Sequence, residues 1–220
     1  MMPKIQLTKP VLIYLYGFPG SGKSYVARNL EDVLEIARID GDRIRHELFS
    51  RPRYDAQENA IVSHLMNYMA GEFLRAGVSV VYDANALRAG QRRKLREMAR
   101  NNKATSLLVW LQIDPENSFA RTQQLDRRTT DDKYTQHHSQ ESFQHYLSLM
   151  QNPKDEDYLV ISGKHAFVTQ KNAILNRLYQ MGHIQSSAIQ STVAKPELIN
   201  LIPNPHAGRV DLSRRNITIG

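Results

Sequence analysis

The chain alternates short apolar runs with longer amphipathic stretches. Five runs read as strands: Val11–Tyr16, then 36–39, 78–82, 106–113 and 158–161. Around them, apolar residues recur at helical spacing near 23–34, 57–76, 88–101, 115–126, 139–150 and 170–181. Such alternation predicts parallel strands joined by right-handed crossovers, with helices on both faces. The expected fold class is therefore α/β, three layers deep, with a parallel sheet of about five strands. In the stretch 57–76, the series Ile61, Leu65, Met69 and Phe73 predicts the buried stripe. In such a sheet, ligands bind beyond the carboxyl ends of the strands. The residues after each run are the ones to read for chemistry.

From about Gln185 the pattern stops. Ser, Thr and Gln fill 185–194, Pro196, Pro203 and Pro205 follow, and an arginine-bearing segment closes the chain at 209–219. This predicts one domain over 1–184, followed by a linker and extended tail over 185–220. The tail is too short for a core of its own. It is suited to lie on the domain, add a strand, or contact a partner or a second copy through its arginines.

Composition narrows the picture. A chain of 220 residues, 41% hydrophobic, can bury one sizeable core. No apolar run approaches a membrane span, and Met1-Met2-Pro3-Lys4 does not open a signal core. The chain contains no cysteine, which excludes disulfides, thiolate catalysis and cysteine-based zinc sites. These features fit a cytoplasmic protein with no membrane partner. A net charge of +7 suits polyanions such as nucleotides or nucleic acid.

The strongest motif is Gly17-Phe18-Pro19-Gly20-Ser21-Gly22-Lys23-Ser24, which fits G-x-x-x-x-G-K-[ST]. It lies between an apolar strand and an amphipathic helix, the context a phosphate-binding loop requires. Glycines let the backbone approach a ligand, and successive N–H groups form an anion nest at the positive end of the helix. Gly17, Pro19, Gly20, Ser21, Gly22, Lys23, Ser24 and the adjoining Tyr25 are the candidate nucleotide-binding residues. Lys23 would reach the outer phosphates of ATP, and the Ser24 hydroxyl would ligate Mg²⁺.

Three further segments fall at strand ends. Asp40-Gly41-Asp42-Arg43-Ile44-Arg45 carries two carboxylates. Asp42 is spaced to orient an acceptor hydroxyl and accept its proton, and Arg45 to hold an anion on the acceptor. Asp40 would support the waters of Mg²⁺. The bland alternative, which the phosphate loop disfavours, is that Asp40 or Asp42 caps a helix starting near Arg43 and Arg45 pairs with an acid. Tyr82-Asp83-Ala84-Asn85 ends a hydrophobic strand in an Mg²⁺-binding type of carboxylate. The helix after it carries Arg88, Arg92, Arg93, Lys94, Arg96 and Arg100, read as a mostly solvated basic face, with Leu95 and Met98 turned inward. Arg121, Arg127 and Arg128 lie on a polar stretch placed like a lid, one that supplies arginines to a transferring phosphoryl group. His137-His138 lacks an apparent third metal ligand.

Taken together, Gly17–Ser24, Asp42 with Arg45, Tyr82-Asp83-Ala84-Asn85 and Arg127-Arg128 resemble the P-loop kinases of the zeta-toxin and polynucleotide-kinase type, often called AAA-family ATPases. The resemblance runs from about Val11 to Gly182. It implies a P-loop NTPase fold with a helical lid, ATP and Mg²⁺ as cofactors, Asp42 as general base, and a lid arginine at 127 or 128. Asp40-Gly41-Asp42-Arg43-Ile44-Arg45-His46 also resembles the Asp-Gly-Asp-Asn-x-Arg-His segment of adenylylsulfate kinases, with Arg43 in place of Asn. The implied activity is transfer of the γ-phosphate to a hydroxyl. The acceptor is a polynucleotide 5′-hydroxyl, slightly favoured by charge, or a small hydroxyl metabolite such as a nucleotide sugar or adenylylsulfate. A regulatory ATPase and a binding module without catalysis are the readings from other classes.

Overall fold

The structure, a computed structural model, describes residues 3–124 and 133–185. In chain order its elements are β1 (Val11–Tyr16), α1 (Lys23–Val33), β2 (Ala37–Asp40), α2 (Gly41–Leu48), α3 (Ala56–Arg75) and β3 (Val80–Asn85). There follow α4 (Ala89–Asn101), β4 (Thr105–Gln112), α5 (Pro115–Gln123), α6 (Gln140–Ser148), β5 (Tyr158–Ser162) and α7 (Phe167–Gln180). The five strands form one parallel sheet in the order β2-β3-β1-β4-β5.

β1 lies at the centre, and all six of its residues are buried. That explains its unbroken apolar run: a strand covered on both faces has no solvent side to keep polar. Val11, Ile13 and Leu15 join one core with α1 and α7. Leu12, Tyr14 and Tyr16 join the other, with α3 and α4. Strand alternation thus feeds two cores, and the three expected layers are present.

Several boundaries and one face depart from expectation. β3 continues through Asn85, so Asp83 and Asn85 lie on the strand and not after it. α2 begins at Gly41, directly after β2, because Asp40 caps it. The core stripe of α3 is Val62, Met66, Ala70 and Leu74, one position on from the expected series. Ile61 is 44% exposed, and Leu65, Met69 and Phe73 are half-buried. Two apolar series run side by side on this helix, and the sheet takes the one with small Ala70 at the contact, which lets the helix sit close. α5 stops at Gln123, and Arg127, Arg128 and the tail 186–220 lie outside the described residues. Among the described residues, no helix is long and apolar enough to cross a membrane.

Candidate nucleotide-binding and phosphoryl-transfer site

The loop between β1 and α1 takes the shape its glycines permit. Gly20 has φ +79°, and a Cβ there would stand 2.3 Å from the Ser118 carbonyl oxygen. Gly22 caps α1 at φ +96° and offers no side chain to the first turn. The first N–H groups of α1 therefore face the loop without a side-chain partner, as anion binding requires. α5 supports the loop from outside: the buried Ser118 hydroxyl donates to the Pro19 carbonyl at 2.7 Å. Asn85 donates to the Gly17 carbonyl at 2.5 Å. Ser21 is fully buried and its hydroxyl has no partner among the described residues. An orphaned hydroxyl beside a bare helix N-terminus fits a loop made for a phosphate ligand.

Lys23 folds back on this loop. Its ammonium donates to the carbonyls of Gly17 at 3.1 Å and Phe18 at 2.7 Å. Loss of water lowers its pKa to about 8, against the pull of Asp83 and Asp42. The Ser24 hydroxyl donates to Asp83 Oδ1 at 2.9 Å, joining the two expected Mg²⁺ residues. A hydroxyl and a buried carboxylate are hard oxygen donors, the kind Mg²⁺ takes. The strand register changes between Tyr14 and Leu15, whose β3 partners are Tyr82 and Asn85. Alternation along β3 puts Asp83 on the α1 face with Val81, and the irregularity falls at Asp83 and Ala84 in the pairing with β1.

Asp42 stands on the first turn of α2. Among the described residues its carboxylate makes no hydrogen bond or ion pair. Desolvation raises its pKa to about 7, helped by the carboxylates of Asp40 and Asp83 and opposed by Arg45 and Lys23. A carboxylate so poised can take a proton from a hydroxyl near neutral pH. Asp40 is the helix cap, accepting from the N–H groups of Asp42 and Arg43 at 3.1 Å each. Its other oxygen binds Arg38 at 2.5 Å.

Arg45 is buried; its two terminal nitrogens are bound within the fold, while its Nε has no partner among the described residues. Arg45 donates to Glu58 at 3.0 Å and Asn59 at 2.5 Å, and stacks 4.6 Å over the Tyr54 ring. Arg121 donates to the Gly163 carbonyl at 2.8 Å, tying α5 to the turn after β5. Tyr25 is 45% exposed and meets the Phe167 ring edge-on. Of the basic face on α4, Arg88, Arg93, Lys94 and Arg100 are exposed, but Arg92 is fully buried. It forks onto Glu156 at 2.7–3.1 Å and donates to the Ala86 carbonyl, and Arg96 joins the same carboxylate. The expectation of a solvated face fails there because Glu156, remote in sequence, supplies the counter-charge.

Two features escaped the sequence. Arg38 donates to Asp83 Oδ2 from Nε at 2.9 Å and Nη2 at 2.6 Å. The only signal was an arginine inside a strand pattern. His138 is buried beside the site, and desolvation, with help from Lys23 and His137, lowers its pKa to about 4. Its ring meets Tyr146 edge-on. Nearby, the Tyr134 ring lies 5.4 Å from that of His46 on α2.

The sequence profile of the AAA domain matches residues 12–153, well over half of the chain. The chain belongs to the AAA domain family. The matched span contains the loop, Asp42 and Asp83. Among solved structures, a gluconokinase from Sinorhizobium meliloti is 21% identical, with a TM-score of 0.56, covering 78% of this chain and 93% of that one. The APS kinase CysC of Mycobacterium tuberculosis, in complex with AMPPNP and APS, is 20% identical, with a TM-score of 0.50, covering 81% and 99%. This AAA domain thus has the P-loop kinase-like fold. A sulfate adenylyltransferase from Aspergillus terreus is 32% identical over 80 residues. That stretch is 34% of this chain and 14% of the length of that relative.

Proposed function

We propose that the chain is an ATP-dependent phosphotransferase that passes the γ-phosphoryl group to a hydroxyl acceptor. One observation carries this reading. A carboxylate with a pKa of about 7, Asp42, which has no partner among the described residues, shares a site with the P-loop lysine and the Ser24–Asp83 pair. A hydrolytic ATPase would use a base to activate water instead of an acceptor hydroxyl, and acceptor labelling separates the two.

The residues divide the work as follows. The N-terminus of α1 and Lys23 bind the β- and γ-phosphates, with Lys23 exchanging its loop carbonyls for phosphate oxygens. Ser24 and Asp83 would hold Mg²⁺, which would supply charge neutralisation on the phosphates. Asp42 accepts the proton of the acceptor hydroxyl as the new O–P bond forms. The bond between the γ-phosphorus and the bridging oxygen breaks, and ADP leaves. Lid arginines at 127 or 128 complete the proposal as the charge on the transferring group develops.

For the acceptor we favour a small hydroxyl compound. Arg45 is tied to Glu58, and Arg92 to Glu156, which removes two of the cations that a polynucleotide track along α2 and α4 would use. The APS kinase likeness agrees with a nucleotide-sized acceptor. The second reading, a polynucleotide 5′-hydroxyl, rests on exposed Arg88, Arg93, Lys94 and Arg100 and the net charge of +7. The test is transfer of label from γ-labelled ATP to 5′-hydroxyl RNA and DNA, and in parallel to a metabolite panel that includes adenylylsulfate. Labelling of one metabolite, lost in Asp42→Asn, supports the first reading. Labelled oligonucleotide supports the second. Release of phosphate with neither acceptor labelled, and equal in Asp42→Asn, removes both.

A further inference from the structure

We propose that Arg38 is a positioning residue that acts as the resident counter-cation of the divalent-metal site. It keeps the affinity of Asp83 for a free divalent ion low, so that the metal enters with the nucleotide. The proposal rests on the reading of Ser24 and Asp83 as the metal-holding pair.

β2 and β3 pair in register, Arg38 with Val81 and Asp40 with Asp83. Residues two apart on a strand share a face, so Arg38, Asp40 and Asp83 all look toward α1. There the guanidinium closes on both acids. Nε and Nη2 reach Asp83 Oδ2 at 2.9 and 2.6 Å, and Nη2 also reaches Asp40 Oδ2 at 2.5 Å. The remaining Asp83 oxygen accepts from Ser24. Both oxygens of the metal-binding carboxylate therefore carry donors.

The electrostatics point the same way. Asp40, Asp42 and Asp83 converge: Asp40 and Asp83 both disfavour the charge on Asp42, and Asp40 disfavours that on Asp83. Three carboxylates around a cleft would draw in any free divalent ion. The guanidinium, 15% exposed, lies between two of them and lines the same cleft as Ser24, Arg28, Asp42, Arg43 and Tyr134; of these arginines, Arg38 is the one in ion-pair contact with Asp83. An ion on Asp83 must displace it or stand a few ångström from it. In a partly buried site that repulsion is large, because little water screens it. The nucleotide removes the obstacle, since its phosphates bring enough negative charge to hold the metal and Arg38 together. A fold-only salt bridge would not require that the arginine be forked on the carboxylate that also binds Ser24.

The test is Mn²⁺ binding to the full chain without nucleotide, followed by the paramagnetic resonance of free Mn²⁺. Arg38→Gln should bind Mn²⁺ about tenfold more tightly than wild type, or better, as expected for removing a like charge at this range. Arg38→Lys, which keeps the charge, should behave as wild type. The gain should vanish in Arg38→Gln combined with Asp83→Asn. If Arg38→Gln lacks a thermal transition, Arg38→Met fills the volume without the charge and carries the same expectation. No tighter binding in the uncharged variant, or a gain that survives Asp83→Asn, overturns the proposal. The metal-site reading has its own readout: Mn²⁺ uptake by wild type with a non-hydrolysable ATP analogue, which Asp83→Asn should abolish. Uptake indifferent to Asp83→Asn removes that reading, whereas sensitivity to Asp83→Asn without an Arg38 effect removes only the role of Arg38.

Discussion

In the proposed reaction, Asp42 concentrates the chemistry in one ionisation. Its pKa lies near 7 because desolvation and the neighbouring carboxylates of Asp40 and Asp83 disfavour its charge. Lys23 titrates near 8 for want of water. The base works when Asp42 is ionised, above about 7, and the phosphates are held when Lys23 is charged, below about 8. The profile of kcat/KM for ATP should therefore be a narrow bell between those limbs. Asp42→Asn should erase the acidic limb and lower kcat by about 10²–10⁴-fold, the range for a lost general base, while ATP affinity holds within a few-fold. A variant that keeps wild-type turnover would sink the assignment. The same ionisation bears on stability. The folded pKa lies above the unfolded one, so folding favours protonated Asp42. That contribution is full below about pH 4 and is lost as pH rises through 7. Asp42→Asn should stabilise the nucleotide-free protein at pH 8 by on the order of 4 kcal/mol relative to its effect at pH 4, as 1.36 kcal/mol per pKa unit gives between the ordinary 3.8 and about 7. Urea unfolding at the two pH values checks this; equal effects would mean that Asp42 is well solvated.

At the scale of elements, caps and irregularities aim the site. Asp40 caps α2 and so fixes where Asp42 begins the helix. Alternation along β3 puts Asp83, like Val81, on the face toward α1, where it meets Ser24. Asp40 was legible as a cap or a metal acid, and in the structure it caps α2 while pairing with Arg38. The α3 stripe was misread because two apolar series, 61/65/69/73 and 62/66/70/74, fit the same period, and packing against the sheet chooses between them. α4 is held differently. Its Arg92 is wholly buried and forked onto Glu156, which is 7% exposed at the side chain, and its guanidinium lies 5.1 Å over the Tyr16 ring. This pins the segment before β5 to α4 and to β1. Arg92→Ala leaves Glu156 buried without its main partner and should cost about 3–5 kcal/mol. Chemical denaturation would measure it, and a loss under 1 kcal/mol would show that Arg96 alone satisfies the acid.

At the scale of the whole molecule, the sheet order β2-β3-β1-β4-β5 gathers the strand ends that carry function. β3, with Asp83, is inserted between β1 and β2, so the loop after β1, the acid on β3 and the cap at the end of β2 meet at one edge of the sheet. The ends of the described chain also meet. Ile184 is buried with Ile5, Leu34 and Ile36, and Thr8 N–H donates to the His183 carbonyl at 3.0 Å. Ile184→Ala should cost about 2–4 kcal/mol, since it opens a cavity under α1 and α7. A smaller change in a thermal or urea melt would show that the neighbours collapse into the space. By itself the sequence determined the α/β class and the existence of the five strands, and it marked the phosphate loop with Lys23 and Ser24 and the acids Asp42 and Asp83 as the candidate site. Those features are written in local spacing, which a single segment carries. Tertiary structure alone decided that Arg45 and Arg92 are bound to Glu58 and Glu156, which face of α3 is buried, and that Arg38 lies across Asp40 and Asp83. Each of those depends on which distant residue supplies a charge or a surface, and no local period records that.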